Sequence, residues 1–276
     1  MTAYALRMPY LPARGLVEEL MLRERRLAVY GFVLLLLGLL ACFGQLLDPR
    51  TFESGVNVWV KPAKFFFSLA IFSLTTAWFF GYVQPERRRS RAMRATVALL
   101  ILCGTFELFW INWQAAQGLA SHFNLSTPFH MLMFSLMGLF ALILTATCLP
   151  LAWEIARRPA AGLSREYQAA LVTGLALTFV LGVAVGGYMG MNGSHAVGME
   201  GGNLPIFGWN RLGGDLRVAH FLGIHAQQAI PLIALLTSSR SPAIRRQILV
   251  GGTLLYLFVT VATFFQAVAG QPLIGV

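Results

Sequence analysis

The sequence predicts an all-α integral membrane protein with seven transmembrane helices, and three observations predict it. The chain of 276 residues is 57% hydrophobic and only 12% charged, an apolar surface that a soluble core of this size cannot hide. Seven apolar runs, at roughly 27–47, 62–83, 95–117, 128–153, 168–190, 218–237 and 246–268, are each long enough to cross a core of about 30 Å at 1.5 Å per residue. Sixteen of the 21 lysines and arginines fall on one set of alternating connections and five on the other. By the positive-inside rule the N-terminus is cytoplasmic and the C-terminus outside.

Residues 1–26 form a separate amphipathic segment, in which LVEELMLRERR predicts a short helix lying on the cytoplasmic membrane surface. Residues 27–276 form a single seven-helix domain in the lipid bilayer. The first apolar run has no clear small-residue cleavage site after it, so it is read as a retained span of a multi-pass protein of the bacterial inner (plasma) membrane. The formal charge of +10 resides in short loop arginines that topology explains, and no nucleic-acid partner is expected. Cys42, Cys103 and Cys148 lie inside apolar runs, which supports neither a disulfide framework nor a thiolate zinc site. An odd helix count and unlike loops argue against inverted repeats. In the fifth span Gly182, Gly186 and Gly190 recur every four residues, a small-residue ridge for close helix packing within the chain or for an oligomer contact.

The second and third spans carry the first functional signals. The second opens on GVNVWVKPAKFFF, where Lys61 and Lys64 are the only lysines of a chain with nineteen arginines. Their compact charges suit an anionic substrate or headgroup, although two snorkelling lysines look the same. The third contains Glu107, an acid deep in an apolar run, with Gln114 toward its outer end. An ionisable group at that depth is expensive and points to a proton relay or ligand site.

The loop between the third and fourth spans, SHFNLSTPFH, holds His122, Asn124 and His130 and no charge. Its Ser-Thr-Pro predicts a helix cap. The glycine-rich loop at 190–217 contains His195 and Asp215 and predicts a lid over the outer mouth, with Asp215 capping the sixth span. That span carries His220, His225 and Gln227, and its Pro231 predicts a kink through the freed carbonyl of Gln227. On a regular helix His220 and Gln227 share a face, whereas His225 points elsewhere.

All five histidines thus collect on the expected outer side. Imidazoles ligate metals and titrate near neutrality. The leading expectation is an outward-facing site for iron, copper or zinc, or for haem b, serving an oxidoreductase. His122, His130, His195, His220 and His225 would supply the ligands, and Glu107, Gln114 and Gln227 would handle protons. Lys61, Lys64, Asn124 and Asp215 would bind a small-molecule substrate or redox partner. The alternative is a proton-coupled small-molecule transporter or sensor. The segments GVNVWVKPAKFFFSLAIF, QAAQGLASHFNLSTPFH and GGDLRVAHFLGIHAQQ resemble those of an uncharacterised family of bacterial multi-pass membrane proteins, a resemblance that carries no activity.

Overall fold

The computed structural model describes residues 15–52, 55–204 and 207–275. Among them the chain forms α1 (Leu16–Leu47), α2 (Val60–Phe80), α3 (Pro85–Arg88), α4 (Arg91–Ala116), α5 (Pro128–Ala146) and α6 (Cys148–Arg157). These are followed by α7 (Arg165–Asn192), the paired two-residue strands β1 (Ala196–Val197) and β2 (Gly214–Asp215), α8 (Leu216–Ile224), α9 (Ala226–Leu236) and α10 (Pro242–Val268). Six spans, counting α5 with α6 as one, are long and apolar enough to cross a membrane, and the bent pair α8–α9 makes up to seven. The protein is an all-α membrane protein. Of the expected surface segment 1–26, residues 1–14 lie outside the described residues. Within the remainder, α1 is interrupted at Glu24 (φ −152°, ψ 95°).

Short polar residues start the helices where the sequence places them. Ser90, Thr127, Ser164 and Asp215 each accept a hydrogen bond from a first-turn amide of α4, α5, α7 and α8, satisfying donors that a helix start leaves open. The connections gather into two ends. At one, Arg50 donates to the Ala116 carbonyl (3.1 Å) and Lys64 to the Phe207 carbonyl (2.8 Å). At the other, Gln84 N donates to the Arg158 carbonyl (3.2 Å), Arg87 pairs with Glu154 (2.7 Å) and Arg245 with Glu166 (3.3 Å). We call them the histidine end and the arginine end.

The core is graded between these ends. The largest apolar cluster, including Leu27, Phe80, Met93, Leu100, Leu151, Ile155, Leu171 and Ile230, spans the arginine half. Toward the histidine end smaller apolar clusters around Phe66 and Trp110 alternate with buried polar residues, among them Glu107, Gln114, Ser121, Asn210 and Asp215.

The sixth span corrects the sequence expectation. Its 55° bend lies at His225 (φ −96°, ψ 6°), and α9 runs on through Pro231. The break is stable at His225 because neighbouring helices satisfy the backbone groups beside it. The Tyr256 hydroxyl of α10 donates to the Leu222 carbonyl, and Thr178 Oγ1 of α7 accepts from Gln227 N at 2.8 Å. Such substitution is what lets a broken helix persist in a membrane. Glycines bring α7 close: a Cβ at Gly174 would meet the Ala226 carbonyl at 2.9 Å, and one at Gly182 would meet Ile224 at 3.3 Å. Gly182 and Gly186 therefore pack on α8 within the chain, while Gly190 faces open space.

Candidate functional site at the histidine end

The first turn of α2 builds the site. Asn57 Oδ1 accepts from Trp59 N (2.9 Å), and Pro62 has no amide to leave unpaired in the first turn. Lys61 and Lys64, three residues apart, share a helix face. Lys61 Nζ lies 3.0 Å from His122 Nδ1, which is also 3.1 Å from Ser121 Oγ. An ammonium only donates, so beside charged Lys61 the Nδ1 of His122 is the acceptor and the ring proton sits on Nε2. Trp110 Nε1 donates to the Ser121 carbonyl (3.0 Å), pinning this loop to α4. Burial pushes His122 well below its ordinary pKa, with the Lys61 charge and His220 adding to the effect. His122 is a neutral acceptor.

Beneath this contact lies Glu107, 3% exposed. Glu107 and Lys61 are within electrostatic reach of one another, and Lys61 also senses Arg217. The Oε1 of Glu107 has no hydrogen-bond partner, and neither do Gln114 Oε1, His220 Nδ1 and Gln227 Nε2. Two arginine Nε atoms, of Arg211 and Arg245, complete the set of such buried atoms among the described residues. Buried polar atoms are nearly always paired, so the unpaired atoms of Glu107, Gln114 and His220 are candidates to hold protons, water or a ligand, while Gln227 lies deeper, against Cys148. The His220 ring rests on Gly186, where a Cβ would approach Cε1 to 3.2 Å.

The remaining predicted residues stand on other partners. His130 belongs to the α5 cap: its amide donates to Thr127 Oγ1 (3.2 Å), and its Nδ1 lies 2.7 Å from the same oxygen. Asn124 shapes its own loop, accepting from Ser126 N (3.1 Å) and donating to the Ala120 carbonyl (3.2 Å). His195 Nε2 lies 3.5 Å from Glu200, and burial, then Arg217, lowers its pKa. Asp215 caps α8 and grips Arg217 (2.6 Å). His225 Nδ1 lies 3.3 Å from Gln228 Oε1, and Gln228 donates to Thr75 (3.2 Å). Gln227 faces Cys148, whose Sγ is 3.8 Å from Oε1. The bend at His225 separates His220 and Gln227 onto two helix axes, so the shared face of a regular helix does not exist.

The chain matches no family model, no curated protein and no solved structure. Its own donors therefore test the metal expectation. Among the described residues, no three of His, Cys, Asp and Glu come together to hold an ion. The five histidines are dispersed over separate partners, and the Lys61 ammonium at His122 repels a metal cation. On its α7 side His220 packs against Gly186. Among the described residues this donor set gives no support to a shared iron, copper or zinc centre.

Sequence reasoning missed Ser121, Thr178, Arg217 and Tyr256. Thr178 and Tyr256 were legible only as isolated polar residues in apolar runs, a signal too common to single them out. Arg217 was counted as a topology charge.

Proposed function

We propose that this chain is a carrier for a small anionic solute. It sits in the inner (plasma) membrane with its N-terminus cytoplasmic and its histidine end facing out. It couples solute movement to a proton taken up by Glu107. The observation that carries this reading is the Lys61–His122 contact at 3.0 Å, set within electrostatic reach of a Glu107 whose Oε1 is unpartnered. An acid and an amine inside an apolar bundle are costly and mark a pathway or binding site. With Lys61 charged and Glu107 ionised the pair is neutral. A carboxylate arriving at Lys61 adds a negative charge, and a proton on Glu107 restores neutrality. Solute and proton thus enter together without net charge in the low-dielectric interior. His122, neutral and open to the loop, can pass that proton inward, and Gln114 and His220 offer polar atoms to line the solute. The discontinuous α8–α9 pair fits a carrier, in which broken helices flank the site. The metal- or haem-dependent oxidoreductase has less support because its proposed ligands are dispersed.

The test uses proteoliposomes loaded with the pH dye pyranine and given inward gradients of lactate, pyruvate, succinate or glutamate. Lumenal acidification should follow at least one solute. It should fall by at least about tenfold in Glu107→Gln and Lys61→Met, equivalent to one lost charge interaction, with partial recovery in Lys61→Arg. Equal acidification by wild type and Glu107→Gln, or none with any of the four, overturns the proposal.

A further inference from the structure

A second pair of cations lies beside this site, and both are occupied by the protein's own backbone. Lys64 Nζ donates to the Phe207 carbonyl (2.8 Å), and the Arg217 guanidinium donates to the carbonyl of the next residue, Gly208. The turn carrying these oxygens is closed by Leu204 N on the Trp209 carbonyl (2.8 Å) and Gly208 N on the Leu204 carbonyl (2.6 Å). Gly208 has φ +66°, and a Cβ there would stand 3.3 Å from Lys64 Nζ. Glycine therefore meets two requirements, the left-handed backbone and the close approach of the ammonium. Trp209 stacks on Phe207 (4.6 Å) and meets Phe221 of α8 edge-on (6.2 Å).

Arg217 does not depend on these carbonyls for its position. Asp215, its side chain 1% exposed, holds Arg217 through both carboxylate oxygens (2.6 and 2.9 Å) and also accepts from Asn210 N (2.7 Å). Lys64 is one turn along α2 from Lys61, and both lysines sense Arg217. Two ordered positive groups from different helices thus converge on consecutive neutral carbonyls. A carboxylate offers the same two donors charged oxygens, and charge-assisted hydrogen bonds are about twice as strong as neutral ones.

We infer that Lys64 and Arg217, next to Lys61, form a carboxylate-binding pair whose donors are held in this structure by the carbonyl oxygens of Phe207 and Gly208. Binding of a carboxylate displaces these two carbonyls from Lys64 and Arg217. This inference rests on the anionic-solute reading and names the residues that admit the solute.

Hydrogen exchange followed by mass spectrometry on the full chain in nanodiscs tests it through peptides covering 199–213. In wild type the Gly208 and Trp209 region should exchange slowly. Lys64→Met should accelerate it by about tenfold, the loss expected for one charge-assisted hydrogen bond, and Lys64→Arg should restore protection. At least one of lactate, pyruvate, succinate and glutamate should accelerate exchange in wild type relative to chloride at equal ionic strength. The same response should persist in Glu107→Gln, which lacks the proposed proton acceptor but keeps the pair. Equal exchange in wild type and Lys64→Met, or a turn indifferent to all four anions, overturns the inference. Anion-dependent loosening in a protein with no coupled acidification sinks the carrier reading alone. Coupled acidification with an indifferent turn sinks this inference alone.

Discussion

The two ends of the bundle treat charge in opposite ways. At the arginine end, several cations meet carboxylates or aromatic faces, while Arg88 donates to the Val83 and Gly81 carbonyls. Glu154 takes both Arg87 (2.7 Å) and Arg158 (3.5 Å), and Arg23 pairs with Glu19 (2.8 Å) while lying 3.8 Å above the Trp78 ring. At the histidine end, Glu107 is buried with an unpartnered oxygen, Lys61 rests on an imidazole, and Lys64 holds a backbone carbonyl. The first arrangement closes the structure. The second leaves polar capacity unspent, and the contrast separates scaffold from site.

Replacement of Glu107 should break that contrast most visibly. Glu107→Gln should lower solute-linked acidification by at least about tenfold yet leave the melting temperature nearly unchanged, because Glu107 Oε1 has no hydrogen-bond partner to lose. A large loss of stability would show that Glu107 is structural. Where α7 crosses the break, Gly174→Ala should cost about 1–3 kcal/mol by forcing a methyl against the Ala226 carbonyl. Gly190→Ala, which meets nothing within 4 Å, should be neutral or slightly stabilising. Thermal unfolding of the pair in detergent measures the difference. At the arginine end, Glu154→Gln should lower the melting temperature only slightly, since Arg87 and Arg158 keep substantial solvent contact and exposed pairs are screened. Coupled acidification in this variant should stay within about twofold of wild type.

A separate effect is in pH. His122 and His195 have folded-state pKa values below the ordinary 6.5, both chiefly through burial. The unfolded chain then binds more protons than the folded one as pH drops through about 6.5, so stability falls with acidification. The slope approaches about 1.4 kcal/mol per pH unit for each group once the unfolded state is protonated. The melting temperature should fall between pH 7 and pH 5, and His122→Gln should flatten part of that fall. A pH-independent melting temperature would remove His122 as a buried neutral acceptor.

Much of this molecule is legible without coordinates. The spans follow from apolar run length, and the caps at Thr127 and Asp215 from residue type. Glu107 stood out because an acid inside an apolar run has no cheap explanation. His130 was harder to read, since a cap can recruit a ring nitrogen as well as an amide. Pro231 misled: the sequence identifies where a helix lacks a hydrogen bond, yet the bend forms where neighbouring helices can replace those lost.

By itself the sequence determined which segments are apolar enough to span, where they begin, and which rare polar residues they must bury, because these depend on local composition and chain geometry. Only the tertiary structure decided that Lys61 meets His122 across 61 residues of chain, that Lys64 and Arg217 hold one turn, and that Thr178 and Tyr256 stabilise the break at His225. The physical reason is that a polar atom in an apolar bundle must find its partner on another helix, and which helix is near depends on how the whole chain packs.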